Sequence, residues 1–421
     1  MGSYASRAHA MRASEIRALF AVASRPEVVS LAGGMPYVQA LPVEMLTDTV
    51  ERLLRERGPV ALQYGSGQGD VTLREQILDV IGEVGISAHP DDIVVTTGSQ
   101  MALDLVTRVF CNPGDVVLVE SPSYVGALGV FRAYECDVVH VAMDDQGLEP
   151  TALREAIAAV RASGRAIKLI YTIPSFHNPA GVTQGPERRR EILAIAREAG
   201  IALLEDDPYG LLGFEGEPPR AIRADDADGV IYLGSFSKTI ASGLRVGWAV
   251  APHGVRDKLV LAAEAAVLCP SNYAQLTVSE YLATQPWREQ IKSFREVYRE
   301  RRDAMLDALD TLMPAGTTWT VPAGGFYSWL TLPEGLDATA MAPRAIANLV
   351  AYVPGTGFYV DGQGRRNMRL SYCYPEPDRI REGVRRLAGV IESEIELVHT
   401  FGSAGPASPP SGSAVPAPDL A

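Results

Sequence analysis

Short apolar runs, each closed by an acidic or turn-forming residue, recur through the first two thirds of the chain. Segments whose apolar positions repeat with helical period lie between them. The runs are DIVVTTG (92–98), DVVLVE (115–120), DVVHVAM (137–143), KLIYTIP (168–174), IALLEDD (201–207), GVIYLGS (229–235) and LRVGWAVA (244–251). Such runs predict strands buried on both faces, and their alternation with helical periodicity predicts an α/β fold with a largely parallel sheet covered by helices. From Pro286 the texture changes to a long charged helical stretch, WREQIKSFREVYRERRDAMLDALDTL. Short strand candidates around Tyr327 and Met368 and a closing helix from Pro377 follow, which predicts a second, smaller α+β domain.

Length and composition agree with two globular units. At 421 residues the chain exceeds one comfortable core. Residues 1 to 12 read as a loose arm, and the Pro/Ser/Ala/Gly-rich stretch from 401, FGSAGPASPPSGSAVPAPDLA, as a disordered tail. A formal charge of −13, from 38 Lys+Arg against 51 Asp+Glu, repels a phosphate backbone and argues against nucleic acid as a partner. No apolar run is long enough for a membrane span and no secretory leader is visible, so the expected address is the cytoplasm, with no membrane partner. Cys111, Cys136, Cys269 and Cys373 form no C-x-x-C pair and read as buried thiols, not as a disulfide framework or a zinc site.

Candidate chemistry sits at the C-terminal ends of the predicted strands, where open α/β sheets bind ligands. Gly234-Ser235-Phe236-Ser237-Lys238 leaves a strand with two hydroxyls and a lysine, and Arg245 follows in Gly243-Leu244-Arg245. Hydroxyls and a guanidinium suit a phosphate, and a lysine beside them suits an aldehyde carbon. Taken alone, Lys238 reads more readily as a solvated surface lysine than as a catalytic one. Thr97-Gly98-Ser99-Gln100 precedes a helical run, so its N–H groups crown a helix N-terminus that favours an anion, or form an ordinary strand-to-helix turn. In Glu205-Asp206-Asp207-Pro208-Tyr209, Asp206 and Tyr209 can face one ligand, or the acid can cap a following helix. Ser175-Phe176-His177-Asn178-Pro179-Ala180-Gly181 is either a plain turn or one presenting an Asn amide to a ligand oxygen.

In their order and spacing, the fragments TGSQ, SPSY, NPAG, DDPY, SFSK, GLR and RLSY resemble the fold-type-I, pyridoxal 5'-phosphate-dependent aminotransferases of class I/II, from about Ser14 to Leu387. The resemblance implies a mostly parallel seven-stranded sheet flanked by helices plus a smaller α+β domain. It divides the chain into an arm and helix packing with the small domain (1–44), a large cofactor-binding domain (45–285), a small domain (286–398) and the tail (399–421). It further implies that Lys238 forms a Schiff base with the cofactor and, once displaced, moves the proton between substrate Cα and cofactor C4'. Asp206 would pair with the pyridine nitrogen, Tyr209 and Asn178 with the ring O3', and Tyr124 would stack on the ring. The phosphate would be held by Ser235, Ser237, Arg245 and the backbone at Ser99 and Gln100. Tyr64 resembles a tyrosine reaching the phosphate of the neighbouring subunit, which implies a homodimer with shared active sites.

For substrate, the resemblance implies that Arg369 in Met368-Arg369-Leu370-Ser371-Tyr372 grips the α-carboxylate, with Gly34 of Leu31-Ala32-Gly33-Gly34-Met35-Pro36 in the entry loop. The segment around Ser14 and Arg17 is similar to the 2-aminoadipate and broad-specificity subgroup, where a mobile helix covers the substrate side chain; a solvated amphipathic face is the other reading. His177 stands where that subgroup commonly has Gln, which implies a different preference. The implied reaction moves an amino group from 2-aminoadipate or an aromatic or branched-chain amino acid to a 2-oxo acid such as 2-oxoglutarate. Alternatives are a β-lyase or synthase on the same cofactor, or a serine hydrolase, because Ser235-Phe236-Ser237-Lys238 also fits S-x-x-K. The S-D-N and K-T-G partners of that hydrolase family do not occur. Gly65-Ser66-Gly67-Gln68-Gly69 does not match the dinucleotide fingerprint. A regulator fused to a DNA-binding domain is the non-enzymatic alternative, and this chain begins too close to the fold for one.

Overall fold

The computed structural model describes residues 4, 5, 7, 8, 25–41 and 43–402. Ser14, Arg17 and most of the expected tail lie outside the described residues.

All seven apolar runs become strands of one sheet. After a short β1 (Val29–Ser30) they are β2 (Ile93–Thr96), β3 (Val116–Ser121), β4 (Asp137–Asp144), β6 (Ile167–Thr172), β7 (Ala202–Asp206), β8 (Val230–Ser235) and β9 (Gly247–Val250). A two-residue β5 (Gly147–Leu148) adds an eighth, and the order is β2-β9-β8-β7-β6-β3-β4-β5. Pairings from β8 to β4 are parallel, whereas β9 runs antiparallel to both β8 and β2. One reversed strand therefore leaves β2, β8, β7, β6, β3 and β4 with their C-terminal ends on the same edge.

The helices are α1 (Val43–Ala61), α2 (Val71–Gly82), α3 (Ser99–Phe110), α4 (Val125–Ala133), α5 (Pro150–Ala162), α6 (Pro186–Ala199), α7 (His253–Val267), α8 (Asn272–Thr284), α9 (Trp287–Leu312), α10 (Ala338–Ala347) and α11 (Pro377–Phe401). Strand period sorts the sheet's side chains between two layers. Val117 and Val119 join Leu103, Phe131 and Leu259 on one face, whereas Val116 and Leu118 join Leu153, Ile157 and Ile192 on the other. With both faces covered, near-continuous apolar strands are the stable solution. Local signals set the helix ends: Asp70 accepts from Leu73 N at the start of α2, and Pro186 opens α6, which Gly200 closes at φ 63°. The closing helix continues to Phe401, past the expected start of the tail.

A second, antiparallel sheet has the order β10 (Thr318–Trp319), β11 (Tyr327–Thr331), β14 (Asn367–Ser371) and β13 (Val353–Pro354). Near it, β12 (Val350–Ala351) pairs in parallel with β1. In the β11–β14 register Tyr327 faces Ser371 and Trp329 faces Arg369, so Tyr327 and Arg369 are diagonal neighbours on one face. Ser371 N donates to Leu31 O at 2.8 Å, which fastens the 31–35 loop along β14. Of the four cysteines only Cys373 is buried; the other three are half-buried, contrary to expectation, because Cys111 and Cys136 sit in the loops at the N-terminal edges of β3 and β4.

Arg301 ties α9 to the segment before α11. It is 1% exposed, donates to Cys373 O (2.7 Å) and Tyr374 O (3.0 Å), pairs with Glu376 (2.9 Å) and lies 3.7 Å from the Tyr37 ring centroid. Arg301→Met would leave two carbonyls without their donor and is expected to cost about 3 kcal/mol. Thermal unfolding checks this, and an unchanged midpoint would contradict it.

Candidate active site

The common edge of the sheet collects the candidate residues. Ser99 follows β2, Tyr124 follows β3, Asn178 follows β6, Asp206 ends β7 and Lys238 follows β8. Because β9 is reversed, its start lies at this edge and delivers Arg245. Gly34, Ser99, Tyr124, Asn178, Asp206, Tyr209, Lys238, Tyr327 and Arg369 line one cavity of about 280 Å³.

At the β2/β9/β8 end the groups suit an anion. Gly98, at φ 74°, turns the chain from β2 into α3, so the first N–H groups of α3 face the edge. A Cβ on Gly98 would meet Arg245 Nη2 at 2.4 Å, so a side chain there would displace that guanidinium. Arg245 holds the left-handed conformation itself (φ 54°) and donates to Ser237 Oγ at 3.3 Å. Ser235 Oγ accepts from Ser237 N at 3.0 Å.

In the middle of the edge, Asp206 is 5% exposed. Its Oδ2 accepts from Tyr171 OH at 2.8 Å, and its buried Oδ1 has no partner among the described residues. Burial, reinforced by Asp207, pushes its pKa up to about 7 against the Tyr171 hydrogen bond. Lys238 Nζ donates to Gly34 O at 3.1 Å. Burial brings Lys238 down to about 8, helped by the positive charges of Arg369 and Arg245 and opposed by the Cys373 thiol. Tyr124 OH donates to Gln100 Oε1 (3.2 Å), and Gln100 Nε2 donates to Gly126 O (3.1 Å), so the Gln100 side chain fixes the Tyr124 ring.

Arg369 is a buried guanidinium with neutral neighbours. Nη1 donates to Asn178 Oδ1 and Nη2 to Ala32 O, both at 2.9 Å, while Nε is buried without a partner. Among the described residues no carboxylate pairs with it, and a buried cation in that state attracts an anion. Its CZ lies 4.2 Å from the Tyr327 ring centroid and 5.2 Å from that of Phe358.

His177 turns away from the cavity: its Nε2 lies 3.1 Å from Glu120 Oε2, and its Nδ1 accepts from Ala180 N at 3.2 Å. Burial opposes charge on Glu120, yet His177, Ile173 N and Thr172 together hold its pKa below the usual value. His177 thus shapes the Asn178 loop from behind. Tyr64, 75% exposed, is absent from the lining of this chain's cavity. Tyr327, Tyr171 and Cys373 escaped the sequence reading; the first two lie inside apolar strand runs where tyrosine looks like core.

A class I and II aminotransferase family model matches residues 26–387. The chain belongs to the class I and II aminotransferases. It is 41% identical to an aromatic-amino-acid aminotransferase of Thermococcus litoralis, covering 93% of this chain and 95% of the relative. It is 40% identical to the 2-aminoadipate transaminase of Thermus thermophilus, covering 92% and 96%. Among solved structures, kynurenine aminotransferase of Pyrococcus horikoshii, in complex with PMP, superposes with a TM-score of 0.89 at 41% identity, covering 93% and 97%. The α-aminoadipate aminotransferase LysN of Thermus thermophilus, complexed with a phosphopyridoxyl-leucine, gives 0.87 at 37%, covering 94% and 98%.

This aminotransferase uses pyridoxal 5'-phosphate, and the cavity fits it. Asp206 Oδ1 is a free acceptor for a ring N–H, the α3 terminus with Arg245 and the two serines suits a phosphate, and Lys238 is an amine near its neutral form. Only neutral Lys238 can attack an aldehyde. Uptake of the cofactor by apoprotein should therefore quicken almost tenfold per pH unit below about pH 7.5 and level off above about pH 8.5. Stopped-flow absorbance measures this; a rate independent of pH would contradict the lowered lysine.

Proposed function

We propose that this aminotransferase takes the amino group of a large L-amino acid, of 2-aminoadipate, aromatic or branched-chain type, and passes it to a 2-oxo acid such as 2-oxoglutarate. The observation that carries the reading is that the Lys238 amine, the free oxygen of Asp206 and the carboxylate-free guanidinium of Arg369 face one cavity. The relatives named for aromatic amino acids and 2-aminoadipate support the substrate class. So does a wider apolar groove of about 930 Å³ beyond Met35, with Tyr37, Tyr374 and Arg379 on its walls.

In this reading Arg369 holds the α-carboxylate, with Asn178 and the Ala32 carbonyl fixing its fork. Tyr124 packs on the cofactor ring, Tyr209 and Asn178 meet its O3', and Ser99, Gln100, Ser235, Ser237 and Arg245 hold its phosphate. When bound, the cofactor accepts the electron pair left at the substrate Cα, and Asp206 keeps the ring nitrogen protonated for that purpose. Lys238, once free, removes the proton from Cα and returns it at C4'. Its lowered pKa leaves it basic enough to accept that proton and acidic enough to release it.

The division into residues 45–285 and 286–398 is part of this reading, supported by the two separate sheets. So is a homodimer: Val60, Leu62 and Tyr64, at and just after the end of α1, and Leu268, at the end of α7, are exposed apolar side chains, and Asn272 of α8 donates to Val60 O. A second copy would cover them and receive Tyr64 at its phosphate site. We place the enzyme in the cytoplasm; among the described residues no helix is long and apolar enough to cross a membrane.

The visible spectrum tests the reaction. Adding 2-aminoadipate, leucine or an aromatic amino acid alone should convert the bound cofactor to its amine form, and 2-oxoglutarate should restore it, the mark of a ping-pong cycle. Lys238→Ala should abolish turnover by at least about 10⁴-fold. A spectrum unmoved by every amino acid would overturn the proposal. Light scattering should give twice the chain mass, and Tyr64→Phe should weaken cofactor retention without changing that mass.

A further inference from the structure

Tyr327, on β11 of the smaller sheet, is 3% exposed and lines the cavity, and no part of the reading above gives it a task. Its side chain meets three of the assigned groups at once. The ring supports the Arg369 guanidinium, whose CZ is 4.2 Å from its centroid. The hydroxyl lies 3.5 Å from Tyr209 OH. A Cβ built on Gly34 would lie 2.0 Å from Tyr327 Oη and 3.1 Å from Cζ, so the hydroxyl occupies the place of a side chain at position 34. Gly34 is in turn the residue whose carbonyl accepts from Lys238.

We infer that Tyr327 is a positioning residue for amino transfer: its ring holds the carboxylate-binding arginine, and its hydroxyl sets Gly34 and Tyr209 against the cofactor. The inference rests on the roles given above to Arg369 and Tyr209. Its physical content is that one rigid, buried aromatic side chain with two rotatable bonds fixes groups from three separate chain segments. A lost ring removes a desolvated cation–π contact, whereas a lost hydroxyl leaves that contact and opens a gap beside Gly34.

The two parts separate experimentally in the cofactor-loaded enzyme. The dissociation constant of 3-phenylpropanoate, a carboxylate with no amino group to react, is read from the visible absorbance of the bound cofactor. Tyr327→Leu should raise it about tenfold, and Tyr327→Phe should leave it within about twofold. Tyr327→Phe should instead move the pH midpoint of the cofactor's own absorbance change, through Tyr209. Gly34→Ala should weaken carboxylate binding at least about tenfold in the native background and far less alongside Tyr327→Phe, where the clashing oxygen is gone. Thermal midpoints identify any variant that fails to fold, and the Gly34→Ala pair decides the matter even if Tyr327→Leu does not. Equal damage from Gly34→Ala in both backgrounds would overturn the inference. Arg369→Gln runs in parallel: if it weakens binding and Tyr327→Leu does not, the support of Arg369 by Tyr327 falls alone. If Arg369→Gln has no effect, the carboxylate site and this inference fall together.

Discussion

Burial of ionisable groups without opposite charges governs this molecule. Lys238, Asp206 and Arg369 share one cavity, and among the described residues each is met only by neutral groups: a carbonyl, a tyrosine hydroxyl, an amide oxygen. Holding the protonated lysine there costs on the order of 3 kcal/mol, from its descent to about 8. The sign is that of a lowered base: the cost is fully present below about pH 8 and fades as the pH rises towards the unfolded value near 10.5. A free energy of that size is a large fraction of a domain's net stability, so the surrounding layers must be well packed to tolerate it. The groups are thereby left hungry for partners that the described residues do not provide, and a dianionic, aldehyde-bearing ring and an amino-acid carboxylate are such partners.

The sheet makes the arrangement accessible to a linear chain. Same-direction strands bring five separate turns to one edge, and the reversed β9 adds Arg245 to it. In the proposed reading the groups that would hold the phosphate fall on β2, β9 and β8, the partner for the ring nitrogen on β7, and the residues that would face the ring on β6 and β3, so each part of the cofactor would be met by a different stretch of the edge. The smaller sheet supplies what the edge lacks. Register between β11 and β14 sets Arg369 beside Tyr327, and the hydrogen bond from Ser371 to Leu31 draws the Gly34 loop over Lys238.

Much of this was readable in the chain because its determinants are local. Apolar runs bounded by acids and glycines gave seven strands at their true places, and hydroxyls, acid and lysine stood at the strand ends where ligands bind. What escaped depends on long-range register. Tyr327 is one tyrosine in a short apolar strand, and nothing in its neighbourhood in sequence shows that its hydroxyl will meet Gly34, almost three hundred residues earlier. The orientation of His177 escaped for the same reason, because Glu120 on a neighbouring strand holds its ring. The direction of β9 was likewise invisible, since a buried strand reads the same in either direction.

The serine-hydrolase reading of Ser235-Phe236-Ser237-Lys238 shows how geometry decides between motifs of equal length. A nucleophilic serine needs its hydroxyl hydrogen-bonded to the base that activates it. Ser235 Oγ is instead taken up by Ser237 N and the carbonyl of Val246. The lysine amine is on the other side, under the Gly34 carbonyl and 5.6 Å from the Phe326 ring centroid. The same turn sets the Ser237 hydroxyl beside Arg245 and leaves the lysine amine in the cavity that Asp206 also lines. In the proposed reading one end of the segment binds a phosphate and the other reacts with a carbonyl carbon, a division of labour that a cofactor carrying both groups requires and a hydrolytic serine does not.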